Sequence, residues 1–132
     1  MIFEESLELT VPFDEALAQV KASLAQEGFG TLTEIDVQAT LKEKTGKVMD
    51  RYVIVGACNP SLAGRALDIE PQLGVLLPCN VVVREVHGGV LVEAMDPGVM
   101  ATLTGREDVR RLADEARTLV GNALGRLSAS AG

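Results

Sequence analysis

Aromatic side chains are scarce in this sequence, and tryptophan is absent. The 132-residue chain contains three phenylalanines and one tyrosine, which together make up 3% of its residues. Because proteins that bind single-stranded nucleic acid stack the bases on aromatic side chains, this scarcity argues against such a function. Since 47% of the residues are hydrophobic, the chain can still form a core, and that core must be aliphatic.

Histidine and cysteine are also few, with one histidine and two cysteines in the chain. A Ser-His-Asp or Cys-His catalytic unit would have to use His87, which precedes two glycines and is better explained as a solvated turn residue. Structural zinc needs four ligands, usually in close pairs, so Cys58, Cys79 and His87 make a poor set. The sequence also lacks a glycine-rich phosphate loop and a nucleophile elbow. We therefore predict no catalytic residue and assign no metal or cofactor.

Positive charge is in the minority, because the formal net charge is −7. Such a surface repels polyanions unless a local basic stripe overrides it. The densest basic stretch is interleaved with acidic residues, as is typical of a solvated helix face. Its members are Arg106, Arg110, Arg111 and Arg117. We therefore expect no nucleic-acid partner.

Long hydrophobic runs are missing as well. The longest apolar run, residues 73–77, is far too short to span a bilayer. Glu4 and Glu5 stand where a secretory signal would carry basic residues. We therefore expect a cytoplasmic protein without a membrane partner, in which both cysteines remain thiols and form no disulfide.

The pattern that is present predicts one domain over residues 1–132. Strands are predicted over residues 2–9, 30–35, 51–57, 74–86 with a break at Pro78, and 90–95. One long helix begins near Phe13, and another follows a Thr-x-x-Glu capping box at Thr104 and Glu107. Short helices are expected after Asp36 and Asn59. This β-α-β4-α order with two short inserted helices predicts an α+β fold, an antiparallel sheet with two long helices on one face.

One stretch does not fit a sheet with one wet face. Strands of such a sheet alternate apolar and polar residues, yet residues 75–83 scarcely alternate. Either the inserted helices cover the second face of the sheet, or a second subunit does. The second possibility predicts a homodimer.

Cys58 is the first candidate for a reactive or ligand thiol. It ends an apolar strand and precedes Asn59 and Pro60, a pair typical of a helix start. Unpaired N–H groups at such a start favour a thiolate in front of them. Arg65, about one turn further on, is the nearest cation that could line the site. The alternative is that the thiol packs in the core like a small hydrophobe.

Cys79 is the second candidate thiol, and Asn80 beside it could line a site. Core packing is the alternative for Cys79 too. Met95 and Met100 could add thioether ligands, although methionine in an apolar strand usually belongs to the core. Glu93, in the middle of a strand, is expected to point to solvent, since buried acids are rare unless paired.

Two segments contain the cysteines, Gly56–Pro60 with the sequence Gly-Ala-Cys-Asn-Pro and Leu77–Val83 with the sequence Leu-Pro-Cys-Asn-Val-Val-Val. Together with Gly28–Gly30, Thr33–Ile35 and Asp96–Pro97, they resemble the bacterial and archaeal family called domain of unknown function 302, over nearly the whole chain. The resemblance implies a TATA-binding-protein-like fold, commonly built as a homodimer. It implies no catalytic role and no DNA binding, because the family has no established activity and a fold does not fix a function.

Two functions follow from these observations. The first is a non-catalytic dimeric module that binds a small molecule or a partner protein in an apolar groove on the sheet, and it needs Cys58 buried and inert. The alternative is a cysteine-based protein for sulfur transfer, redox sensing, or binding of a soft metal or haem through Cys58. That alternative needs the Cys58 thiol to be exposed at a helix start with room beside it.

Overall fold

The computed structural model describes residues 3–131 of the chain, with side chains for residues 6–128. Five strands form one antiparallel sheet in the spatial order β1-β5-β4-β3-β2. They are β1 (Phe3–Leu9), β2 (Gly30–Asp36), β3 (Tyr52–Cys58), β4 (Cys79–Val86) and β5 (Gly89–Met95). The predicted strands are confirmed apart from their ends, and position 2 of the first lies outside the described residues.

The helices are α1 (Phe13–Gln26), α2 (Val37–Thr45), α3 (Pro60–Ile69), α4 (Gly98–Thr104) and α5 (Glu107–Ala131), and a 3₁₀ helix covers Pro71–Leu76. The long helices α1 and α5 pack on each other and on one face of the sheet, and α3 packs on α5. The α+β class and the β-α-β4-α order are therefore confirmed, with α2 and α3 as the two predicted insertions. Within residues 3–131, no helix combines the length and apolar character needed to cross a membrane.

The core lies between the sheet and the two long helices and is aliphatic, as expected. Alternate strand positions point into it, including Val55, Val83 and Val92, and all three are fully buried. From α1 and α5, Val20 and Leu124 meet them in the same cluster. Burial of this kind stabilises the fold by roughly 1.5–3 kcal/mol for each large aliphatic side chain.

Both short inserted helices start where polar caps were predicted. A carboxylate oxygen of Asp36 accepts the Ala39 N–H at 2.9 Å, and the Asn59 side-chain oxygen accepts the Leu62 N–H at 3.2 Å. Such caps satisfy N–H groups that have no partner inside the helix, and each contributes about 1 kcal/mol. The sequence therefore fixes the starts of α2 and α3 locally.

The capping box predicted at Thr104 and Glu107 is wrong. Thr104 is the last residue of α4, a helix that the sequence pattern does not predict, and its hydroxyl donates to the Met100 carbonyl at 2.8 Å. Gly105, at a φ of 65°, then ends α4 before α5 begins. The Thr-x-x-Glu pattern is not specific to a helix start, because a threonine hydroxyl can also donate to a carbonyl of the preceding helical turn.

The apolar segment predicted as a strand over 74–86 is a strand only from Cys79 onward. Residues 71–76 form the 3₁₀ helix, which Pro71 starts while the Glu70 side chain accepts the Gln72 N–H at 3.1 Å. Inside β4, burial does alternate at first, because Cys79 and Val81 are buried and Asn80 is exposed. The weak alternation of residues 75–83 therefore comes partly from a change of secondary structure.

The second face of the sheet, which we call the open face, lies opposite the layer formed by α1 and α5. Tyr52, Ile54, Val82 and Leu91 lie on it half-buried, and Ile35 is 46% exposed. The main contacts of α2 are with β3 and β2, and none of its residues is buried. Among the described residues, no main contact of α2 or α3 is with β1, β4 or β5.

Candidate functional site

An apolar pocket lies on the helix side of the sheet, where the end of β3 and the start of β4 meet α3, α4 and α5. Its volume is about 370 Å³ when the space open to solvent is included, and about 30 Å³ admits the centre of a water-sized molecule. Both cysteines line it, so we call it the cysteine pocket. Its apolar walls include Phe29, Leu62, Ala63, Ala66, Leu77 and Leu112.

Asn59 forms the mouth of the cysteine pocket and joins two helices. Its side-chain oxygen caps α3, while its amide nitrogen donates to the Glu27 carbonyl at the end of α1, at 3.3 Å. Gly28 leaves the room for this amide, because a Cβ at Gly28 would lie 2.9 Å from the Asn59 nitrogen. The Asn-Pro pair therefore positions α3 against α1 as well as starting it.

Phe29 enters the pocket wall because of the way α1 ends. Gly28 has a φ of 85°, its N–H donates to the Ala25 carbonyl, and the Phe29 N–H donates to the Leu24 carbonyl, both at 3.0 Å. This is the Schellman motif, in which the residue after the glycine packs back on the helix. Phe29 is accordingly buried beside the cysteines.

The two thiols are close neighbours and both are free. Ala57 is paired with Cys79 across β3 and β4, so Cys58 is one residue from the cross-strand partner of Cys79. Cys58 is half-buried, whereas Cys79 is 9% exposed. Burial, and to a lesser degree the nearby Cys58, raises the pKa of the Cys79 thiol to about 11. In the absence of a bound cation, Cys79 is therefore a neutral thiol at neutral pH.

Met100 brings a third sulfur atom to the same pocket. It lies on α4, is 6% exposed, and lines the cysteine pocket with Cys58 and Cys79. Met95, the other methionine considered from the sequence, is half-buried at the end of β5 and does not line it. The helix α4 that places Met100 could not be anticipated from the local pattern around it.

The remaining predicted site residues lie outside the pocket. Pro60 is exposed as the first residue of α3, and Asn80 is exposed on the open face. Arg65 pairs with Glu115 of α5 at 3.0 Å, and this hydrogen bond raises the pKa of Arg65. The structure thus brings Cys58, Asn59 and Cys79 together but directs the Arg65 charge to Glu115 and away from the thiols.

The pocket walls give no separate signal in the sequence. Leu62, Ala66 and Leu112 have the same spacing as ordinary core residues of their helices. What makes a pocket of them is the small size of the alanines at the α3–α5 contact, which no local pattern reports. The sequence therefore predicts Asn59 and the two thiols but not the apolar walls of the pocket.

Two further predictions concern titratable side chains. His87 is exposed in the two-residue turn between β4 and β5, with a φ of 43°, which confirms the turn assignment. Glu93 lies on the open face and accepts a hydrogen bond from the Arg84 guanidinium at 2.7 Å. Within residues 3–131, no group of three or more His, Cys, Asp or Glu side chains is placed to hold a metal ion.

Comparison with known proteins identifies the family. Residues 5–127 match the family described as "Domain of unknown function DUF302". The chain belongs to this family. The crystal structure of an uncharacterized conserved DUF302 protein from Bacillus stearothermophilus is similar, with a TM-score of 0.86 and 26% sequence identity over 92% of this chain and 95% of that one. No curated protein matches the sequence.

The DUF302 assignment confirms the predicted resemblance and adds no chemistry to the site. Both cysteine segments, residues 56–60 and 77–83, lie within the matched region. Among the described residues, no charged side chain lines the cysteine pocket, and its one polar side chain, Asn59, is occupied by two hydrogen bonds. The arrangement can therefore bind an apolar or sulfur-seeking ligand.

Proposed function

We propose that this DUF302 protein is a non-catalytic dimeric module that binds a small apolar ligand in the cysteine pocket. The observation that carries the proposal is the pocket itself, whose walls are aliphatic apart from Phe29, Asn59 and the sulfur-containing side chains. Apolar pockets with a few placed polar groups are the usual form of ligand sites in proteins. The predicted groove on the sheet corresponds in this proposal to a pocket on its helix side.

The size of the pocket limits the ligand. Sites for drug-sized molecules occupy roughly 300–1,000 Å³ and bury most of the ligand. Here the total of about 370 Å³ includes open solvent, and the enclosed part has room for the centres of only a few small atoms. The ligand is therefore a short alkyl or sulfur-reactive group, and the rest of any larger molecule would extend past Asn59 into solvent.

The dimer in this proposal forms through the open face. Tyr52, Ile54, Val82 and Leu91 leave an apolar area there around the Arg84–Glu93 pair. A two-fold contact places the same surface on both copies, so one arginine and one glutamate from each copy can pair across it. A stable interface of this kind buries more than about 1,000 Å² in total.

Nucleic acid is not a partner in this proposal. Two basic side chains of α5 are engaged by acidic neighbours, Arg117 with Asp96 at 2.7 Å and Arg110 with Glu107 at 3.3 Å. The net charge of −7 adds a repulsive field around them. Both observations support the expectation from the sequence.

Native mass spectrometry of the freshly purified protein tests the ligand and the dimer together. We expect a species at twice the 14.0 kDa chain mass that retains an apolar small molecule. Ala63→Leu, which fills the pocket, should remove the ligand and keep the dimer, because Ala63 lines the pocket and not the open face. Gly64→Ala is the matched control, since nothing lies within 4 Å of its added Cβ. Equal retention by the wild type and Ala63→Leu would contradict the pocket assignment.

A cysteine-based function is the second candidate, and the half-burial of Cys58 directly ahead of α3 favours it. This function requires that Cys58 react in the folded protein, whereas Cys79 is shielded. We expect iodoacetamide to modify Cys58 in the native Cys79→Ser variant. Modification of Cys79 in the Cys58→Ser variant should need unfolding, because burial also raises the pKa of Cys79 to about 11. If Cys58 also reacts only in denaturant, it is a packing residue and this candidate is excluded.

A further inference from the structure

We propose that Cys58, Cys79 and Met100 together bind one soft monovalent metal ion, Cu(I), inside the cysteine pocket. The proposal deepens the cysteine-based second candidate and rests on it, because it names a soft metal ion that Cys58 would bind. It uses both cysteines of the chain and one of its four methionines.

Sulfur-containing residues are concentrated in the cysteine pocket. Cys58 ends β3, Cys79 begins β4 and Met100 lies in α4, so sulfur-containing residues from three separate elements line one small cavity. The other residues of that cavity are aliphatic side chains, Phe29 and Asn59. The packing of an aliphatic core does not by itself require that both cysteines and a methionine line the same cavity.

The Cys79 thiol is buried in this pocket. Its side chain is about nine-tenths buried, lines the pocket, and makes no hydrogen bond to any residue that the structure describes. A buried thiol without a partner is a ligand atom available at the inner end of the pocket. Cys58, half-buried, offers a second at the mouth, from which an ion can enter.

The ligand chemistry selects the ion. Thiolate and thioether sulfur are soft ligands that prefer Cu(I), whereas carboxylates and carbonyls suit magnesium and calcium. Structural zinc takes four ligands from Cys, His, Asp and Glu, and only two such residues, Cys58 and Cys79, line this pocket. The enclosed space, about 30 Å³ for the centre of a water-sized molecule, is large enough for a single ion.

Charge also fits a monovalent cation. Each Cu–S(Cys) bond forms as the thiol proton passes to solvent, and Met100 binds as a neutral thioether. Two thiolates and one Cu(I) leave a single net negative charge. Helix α3 begins at Pro60, two residues after Cys58. The backbone N–H groups at its N-terminus stabilise such a negative charge. Apolar walls keep water from the ion.

Anaerobic competition with the Cu(I)–bicinchoninate complex tests the site. We expect the wild type to remove one equivalent of Cu(I) per chain, and X-ray absorption of that product to show sulfur neighbours only. Cys58→Ser, Cys79→Ala and Met100→Leu should each weaken binding by more than the roughly tenfold that loss of an outer-shell partner costs. Met95→Leu is the matched control, because Met95 does not line the pocket, and it should bind as the wild type does.

Three results would overturn the proposal: no uptake of Cu(I) by the wild type, nitrogen or oxygen neighbours of the metal, or equal affinity of Met100→Leu and Met95→Leu. Circular dichroism of each metal-free variant checks folding. If Cys79→Ala does not fold, Cys58→Ser and Met100→Leu decide, because Cys58 is half-buried and a methionine-to-leucine change keeps the core volume. Modification of Cys58 by iodoacetamide in the folded protein without any uptake of Cu(I) would reject the ion and leave the cysteine-based function intact.

Discussion

At the scale of single residues, Gly56 in β3 shows how closely the sheet packs beside the candidate site. Thr33 of β2 and Pro78 at the start of β4 both lie over its Cα on the open face. A Cβ on Gly56 would overlap the Thr33 hydroxyl and lie 2.9 Å from the Pro78 ring. The ring cannot rotate away as a long side chain can, so the position accepts only glycine without a shift of the backbone.

Gly56→Ala should therefore destabilise the protein by about 1–3 kcal/mol through overpacking. Gly64→Ala serves as the control, because Gly64 is exposed in α3 with nothing within 4 Å of its added Cβ, and alanine there should stabilise by up to about 1 kcal/mol. Urea unfolding of the two variants measures both effects. A gain in stability from Gly56→Ala would show that Pro78 and Thr33 are not held in place.

The helix caps are the single residues that the local sequence pattern predicts best. Asp36 and Asn59 were predicted as caps and are caps, because a cap depends on groups within three residues of it. Cys58 was singled out for the same local reason. Phe29 and Met100 were not predicted as pocket walls, since their places depend on contacts with strands and helices far away in sequence.

At the scale of elements, α1 and α5 are joined by a polar contact as well as by their apolar stripes. The buried Ser23 hydroxyl donates to the Ala123 carbonyl at 2.7 Å. Arg126 donates to Glu27 at 3.1 Å, and Asn122 donates to the other carboxylate oxygen of Glu27 at 3.0 Å. This set of bonds fixes the register of the two helices, which apolar side chains alone define less sharply.

The same contact makes stability depend on pH. Hydrogen bonds from Asn122 and then Arg126 lower the pKa of Glu27 below 4.5 in the folded protein. A lowered folded-state pKa contributes stability above the unfolded value, and that contribution is lost as the pH falls through the folded value. Glu27→Gln should therefore cost more unfolding free energy at neutral pH than in acid.

Asn122→Ala should show the same trend more weakly, because it removes only the leading donor to Glu27. Urea titrations of both variants and the wild type, at neutral pH and at a pH well below 4.5, measure the difference. A cost of Glu27→Gln that does not change with pH would mean that Glu27 ionises equally in the folded and unfolded states.

Helices and strands were predicted well where a hydrophobic pattern continues over many residues. They were predicted poorly where proline and glycine cluster. The stripes of α1 and α5 and the β-branched run of β3 identify these elements by themselves. The segments 71–78 and 96–105 contain proline and glycine, which fit a turn, a 3₁₀ helix or a short α-helix equally well. Tertiary contacts decide among these outcomes, so α4 and the true start of β4 could not be predicted.

At the scale of the whole molecule, the two faces of the sheet differ in what covers them. The helix face carries the buried core, while the open face keeps Tyr52, Ile54, Val82 and Leu91 half-buried and Ile35 largely in solvent. Apolar side chains that remain partly exposed on one sheet face are candidates for an interaction surface. We propose that a second copy of the chain covers this face.

Sedimentation velocity at high micromolar concentration tests that claim most directly. We expect the wild type to sediment at twice its 14.0 kDa chain mass. Ile54→Glu, which puts a charge in the middle of the open face, should give a folded monomer because Ile54 lies outside the core cluster. Val75→Glu should remain a dimer, since Val75 is 87% exposed in the 3₁₀ helix, away from the sheet. A wild type that sediments at 14.0 kDa, or an Ile54→Glu variant that remains a dimer, would contradict the account.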